Sequence, residues 1–315
     1  MSSSATHKVS PRSKATRPPR RQKPLGEAVR ALPWVGPALL LIIGVVFFPA
    51  GYMIFVSTRE VSQYGVDRGA AGFANYAELF ALPQLPGVLL RTAIWVIAVV
   101  GLTVLISLAL AQFLNKQFPG RRIVRMFVIV PWAASVVMTT TVFYYGLDPF
   151  YGIINKMMVD IGLLDSSYGF TKNVVSAFTV AILIAVFVSL PFTTYTILAG
   201  LQTVSAEVIE AARMDGARPW KIYTSIVLPQ LRGALAVAVL INIINVFNSL
   251  PILKIMTGSI PGYDADTIMT LIFKLLQVNQ RLDLASALSV VAFGTVIFIV
   301  ALYVWIVKPM KETDE

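Results

Sequence analysis

Asn242, Asn245, Asn248 and Ser249 lie in one apolar stretch, within roughly a third of a helix circumference at about 100° per residue. A side-chain amide offers a paired donor and acceptor, which suits a hydroxyl-rich ligand. Two further apolar stretches carry polar groups. Tyr144 and Tyr145 follow Thr139, Thr140 and Thr141, while Ser189, Thr193, Thr194 and Tyr195 flank Pro191. Aromatic rings can stack on a sugar ring, so the candidates for a solute path are Asn242, Asn245, Asn248, Ser249, Tyr144, Tyr145 and Thr194. Packing is the stronger reading for the threonine and tyrosine sets and an equal one for the asparagine stripe, because such side chains also hydrogen-bond between membrane helices or to backbone freed by proline.

Other chemistries are excluded by what the chain lacks. It has no cysteine, and its one histidine, His7, sits in a polar tail, so no thiol nucleophile and no Cys- or His-based metal site can be assembled. No Gly-rich GxxxxGK[ST] loop is present, so ATP would have to be hydrolysed elsewhere. No apolar run holds an Asp, Glu, Lys or Arg near its middle, which argues against a carrier driven by intramembrane carboxylates.

The elements that position these residues follow from composition. Of 315 residues 57% are hydrophobic and 13% charged, about half the charge of a soluble domain. Apolar runs fall at about 34–57, 92–114, 126–147, 176–200, 234–256 and 285–307, each near the roughly 20 residues that span a bilayer. Pro131, Pro191 and Pro251 interrupt three of them, where kinks are expected. Lys and Arg concentrate in the tail, in the second and fourth gaps and at the end, which places both termini and the fourth gap in the cytoplasm. The net charge of +10 is concentrated in residues 1–30, a Ser/Pro-rich stretch expected to be disordered. That tail reads as a topology anchor drawn to anionic membrane lipid and not as a nucleic-acid arm. On the outer side, a short helix is expected near Gly152 to Ile161.

The fourth gap, about 204–230, is too polar to cross a bilayer and reads as two short helices. Ser205 is the expected N-cap, with Glu207 in the first turn. Val204, Val208, Ala211 and Ala212 form one face, and Glu207 and Glu210 the other. Gly216 can end the helix at positive φ, and Pro219 can start the next. Ile222 and Ile226 line its face until Pro229 redirects the chain.

Glu210-Ala211-Ala212, then Gly216, then Ile226, Leu228 and Pro229 resemble the EAA loop of binding-protein-dependent ABC importer permeases. The wider segment through Asp215 and Gly216 is similar to the sugar-importer branch, which includes the maltose permeases, as are Pro131-Trp132 and Gly152-Ile153-Ile154-Asn155. The chain departs from that branch at Thr257-Gly258-Ser259-Ile260-Pro261, where Thr-Gly-Gly-Pro is common. The resemblance implies an all-α integral membrane protein of the type I importer, maltose-permease-like fold. Six transmembrane helices would occupy residues 31–310, between cytoplasmic tails at 1–30 and 311–315. It further implies that the loop docks on an ATPase through Glu207, Glu210, Ala211, Ala212, Asp215, Gly216, Ile226, Leu228 and Pro229. The implied partners are that ATPase, which would hold ATP and Mg, a second similar permease and an extracytoplasmic binding protein. On this resemblance the chain is a transport subunit of a bacterial plasma (inner) membrane and not an enzyme. The expected solute is a di- or oligosaccharide of the trehalose or maltose kind. Glycerol phosphate derivatives and polyols are the alternatives, followed by an ATP-independent channel.

Overall fold

The structure, a computed structural model, describes residues 25–307, with side chains from residue 33. Most of the basic stretch at 1–30, and the expected tail at 311–315, lie outside the described residues; the described chain begins as helix at Leu25. The described residues fall into two compact units, one ending at Gly51 and one starting at Tyr52. The first unit holds α1, Leu25–Leu41, a π-helical stretch at Ile42–Phe47 and the beginning of α2, Phe48–Ser57.

The second unit continues with a hairpin of β1, Arg59–Val61, and β2, Asp67–Ala70, pinned by an Arg59–Asp67 ion pair at 2.8 Å. Helices follow in the order α3 Ala74–Ala81, α4 Leu85–Asn115, α5 Arg121–Ala133, α6 Val136–Gly146, α7 Ile153–Asp160 and α8 Val174–Leu201. Next come α9 Ala206–Met214, α10 Pro219–Ile222, a π-helical stretch at Tyr223–Val227, α11 Leu228–Gln230 and α12 Arg232–Phe247. The chain closes with α13 Pro251–Thr257, α14 Ile268–Gln277 and α15 Leu282–Val307.

Among the described residues, four helices are long and apolar enough to cross a membrane: Pro33–Ser57, α4, α8 and α15. Two bent pairs can each make one further crossing, α5 with α6 at 94° and Pro219–Gln230 with α12 at 69°. The expected third span is therefore two half-helices. The expected fifth span stops at Phe247 and restarts at Pro251, so its window was too long. Pro191 does not interrupt the fourth, which runs unbroken through α8.

Lipid provides little apolar drive between helices, so close packing and interhelical hydrogen bonds must hold the unit together. Small residues do the first. Ala177, Ala181 and Ala185 of α8 are buried, and the last two pack with Trp95 and Val99 of α4. Trp95 does the second, its indole N–H donating to the Val246 carbonyl of α12 at 2.9 Å. The outward faces stay apolar, as Ile97 of α4 and Phe298 of α15 show, which a bilayer tolerates and water does not.

Helix α7 realises the expected short helix, and its approach is tightly specified. A Cβ on Gly152 would lie 2.4 Å from the carbonyl oxygens of Gly146 and Asp148, so no side chain fits there. Asn155 is buried, donates to the carbonyls of Leu147 and Tyr168, and accepts from the Tyr168 amide. The Gly-Ile-Ile-Asn segment is thus a structural latch.

Candidate functional site

The polar loop folds much as its pattern requires. Helix α9 has Glu207 in its first turn and Arg213 in its last, each matched to the adjacent end of the helix dipole. Ser205 occupies the N-cap position with extended backbone, but its hydroxyl makes no capping bond. Gly216 takes φ +77°, and the amides of Asp215, Gly216 and Ala217 close back on Ala211, Arg213 and Ala212. Pro219 then starts α10.

The buried face differs from the expected one. Val204, Ile209 and Ala212 pack on a cluster formed by Ala111, Leu114, Ile197, Leu201, Ile222 and Val227. Val208 is 43% exposed and Ala211 is exposed too. The larger branched Ile209 takes the inward position, which rotates Val208 outward by one residue step of about 100°. Glu207, Val208, Glu210, Ala211 and Asp215 are left facing away from the chain, beside Met214 and Trp220. Among the described residues, Glu207, Glu210 and Asp215 enter no ion pair. Ile226, Leu228 and Pro229 are half-buried. The change of direction falls not at Pro229 but two residues later, at buried Leu231.

The second feature is a cavity at the break between α5 and α6. Ala134 and Ser135 are extended, with ψ of 145° and 133°, and neither is a strong helix breaker. Non-helical backbone at membrane depth survives only where protein or a water-filled cavity surrounds it. Here a cavity of about 320 Å³ abuts the break, walled by Trp132 and Ala134, by Ser189 and Phe192 of α8, and by Asn242 and Asn245 of α12. Ser249 completes the wall.

Asn242 is buried, and its amide donates to Thr193 Oγ1 at 2.7 Å and to the Ala238 carbonyl at 2.8 Å. That ties α12 to α8. The side chains of Asn245 and Ser249 make no hydrogen bond among the described residues, so both stand ready for water or solute at the cavity wall. No charged residue lines it.

The other candidates lie elsewhere. Asn248 caps the end of α12, is exposed and donates to the Ile244 carbonyl at 2.8 Å. Thr194 is buried and donates to Ser107 Oγ of α4 at 3.1 Å, a helix–helix contact. Tyr144 packs against the cluster around Trp95 and Ala181, edge-on to exposed Tyr145, with ring centroids 5.4 Å apart. Thr194 and Tyr144 thus pack between helices, Asn248 caps, and exposed Tyr145 does not line the cavity. Conversely, Trp132 and Phe192 join the cavity wall although the polar pattern does not mark them; their signal in the sequence is an aromatic directly after a proline in an apolar run.

The family described as "Binding-protein-dependent transport system inner membrane component" matches residues 103–308. A probable ABC transporter permease protein of Brucella suis biovar 1 is 33% identical over 277 residues, 87% of this chain and 96% of that one. The trehalose/maltose transport system permease protein of Thermococcus litoralis is 25% identical, covering 85% of this chain and 90% of its own. Among solved structures, a chain of a bacterial alginate ABC transporter in complex with an alginate pentasaccharide-bound periplasmic protein superposes with a TM-score of 0.77. Its identity is 22%, and the match covers 93% of this chain and 99% of that one.

Proposed function

This chain belongs to the binding-protein-dependent family of ABC transporter inner-membrane components, and from that premise we propose that it forms half of the path for a di- or oligosaccharide of the trehalose or maltose kind. It is a transport subunit, and ATP and Mg would be held by a partner ATPase. A second permease and an extracytoplasmic binding protein complete the assembly we infer. Residues 31–310 would form the membrane domain, with the segments 1–30 and 311–315 in the cytoplasm.

The observation that carries the solute class is the cavity with unpartnered Asn245 and Ser249 beside the amide of Asn242. Neutral amide and hydroxyl groups match a sugar's hydroxyls. A phosphate calls for Arg or Lys, and none lines this cavity, so the reading favours a neutral sugar over a glycerol phosphate derivative.

The mechanism we infer uses α9 as the lever. Its outward face of Glu207, Glu210 and Ala211 meets the ATPase, while its inward Ile209 and Ala212 transmit movement to the ends of α4 and α8. Closure of the ATPase pair would then shift the half-helices that wall the cavity. Affinity capture of the chain from gently solubilised native membranes, followed by mass spectrometry, tests the assignment. Recovery of an ATPase, a second permease and a binding protein loaded with a di- or oligosaccharide supports it. A binding protein loaded with a phosphate ester would overturn the solute class, and recovery of the chain alone would overturn the importer.

A further inference from the structure

Trp132 and Phe192 each line two cavities. Beyond the amide-lined one lies a second, of about 560 Å³, walled by Ile129 and Trp132 of α5 and by Phe192, Tyr195, Thr196 and Ala199 of α8. Along α8 the lining positions include Ser189, Phe192, Thr196 and Ala199, with Pro191 and Tyr195 beside them in the second hollow. The spacing of those four, i, i+3, i+7 and i+10, keeps them on one helix face. The two cavities are therefore successive hollows on a single stripe. Helix α8 leads toward Ser205 and the loop bearing α9, so the second hollow is one to two turns nearer that loop.

The chemistry changes along the stripe. In the first hollow, Asn245 and Ser249 have free polar groups. In the second, Tyr195 Oη donates to the Arg125 carbonyl at 2.7 Å, and Thr196 Oγ1 donates to the Phe192 carbonyl at 2.9 Å. Their donor hydrogens are committed to the protein. What remains for a visitor is ring surface: Trp132 is 65% exposed, Phe192 is 37% exposed, and Tyr195 is held in place by its hydroxyl. A sugar ring has an apolar face of C–H groups that aromatic rings can cover, while the two hydroxyls, their hydrogens committed, can only accept from it.

We propose that the second hollow is a weak stacking station, where a pyranose ring leaving the amide-lined cavity passes toward the cytoplasm. This rests on the reading of the first cavity as the solute site. Its role would be release: the ring exchanges directional hydrogen bonds for aromatic contact and moves on without being trapped.

The chain contains no cysteine, so each single-cysteine variant reports one position. The variants are Thr196→Cys and Ala199→Cys in the second hollow, Asn245→Cys in the first, and Ile97→Cys on an outward apolar face of α4. In the assembled transporter in inside-out vesicles, a charged methanethiosulfonate modifies only thiols that water reaches, since the thiolate is the reacting form. The proposal expects positions 196 and 199 to react at least roughly tenfold faster than position 97, and trehalose or maltose to slow them. Unreactive 196 and 199 beside a reactive 245 would overturn the proposal and leave the first site standing. Reaction at 196 and 199 that neither sugar slows would also overturn it. An unreactive 245 would remove the first site and this one with it.

Discussion

Asn242 of α12 reaches across to Thr193 of α8 with a 2.7 Å hydrogen bond, while Asn245, one turn away on the same cavity wall, bonds to nothing in the described chain. On the proposed function the pair separates a structural role from a transport role. Asn242→Leu should lower stability by about 0.6 kcal/mol, the mean for an interhelical bond in a membrane protein. Asn245→Leu should leave the melting temperature unchanged and cut uptake about tenfold, as loss of one hydrogen bond to solute would. Thermal unfolding of the detergent-solubilised complex, paired with sugar uptake in cells, checks both. Equal melting shifts for the two variants would contradict this division.

The loop makes a different prediction. Glu210 is exposed and enters no ion pair among the described residues, so Glu210→Lys should change stability by no more than about 0.5 kcal/mol. Uptake should nevertheless be lost while the protein reaches the membrane. Gly216→Val forces a β-branched residue to φ +77° and should cost about 1–2 kcal/mol as well as uptake. Membrane immunoblots and uptake assays decide the matter, and full uptake by Glu210→Lys would refute the docking role of that face.

At the start of α7, Gly152→Ala should destabilise by about 1–3 kcal/mol, because its methyl meets two carbonyl oxygens. Asn155→Leu should do the same by orphaning the carbonyls of Leu147 and Tyr168. Melting curves test this, and a neutral Gly152→Ala would show that the turn relaxes.

Arg281 joins Glu78 of α3 to Asp283 at the start of α15. Its hydrogen bonds to Glu78, then those to Asp283, hold its proton affinity above the usual arginine value. Asp283 is buried and Glu78 is exposed. Arg281→Met should therefore cost about 2–3 kcal/mol, less than a fully buried pair because Arg281 is partly exposed. Glu78→Gln should cost under about 1 kcal/mol. The two melting shifts, compared directly, test that order.

Much of this architecture is legible in the amino-acid pattern. The apolar runs at 92–114, 176–200 and 285–307 lie inside α4, α8 and α15, because unbroken hydrophobicity of that length has one solution in a bilayer. The break at Ala134–Ser135 is invisible there, since neither residue stops a helix and Pro131 sits within α5. The asparagine stripe pointed correctly to Asn242, Asn245 and Ser249 as neighbours. It also takes in Asn248, because the apolar run continues past the end of α12 at Phe247. Thr194 and Tyr144 show the remaining limit: composition marks a polar residue in a span but not whether its helix turns that face to a cavity or to Ser107. The same holds for α9, where Ile209 outcompeted Val208 for the buried side.

The most direct test of the account is uptake of labelled trehalose and maltose into proteoliposomes holding the purified complex, with the binding protein outside and ATP inside or absent. The account predicts sugar accumulation that requires ATP, is abolished by Glu210→Lys and is reduced by Asn245→Leu. Sugar flux through the chain alone, without ATP or an ATPase, would contradict it and make the cavity part of a passive channel.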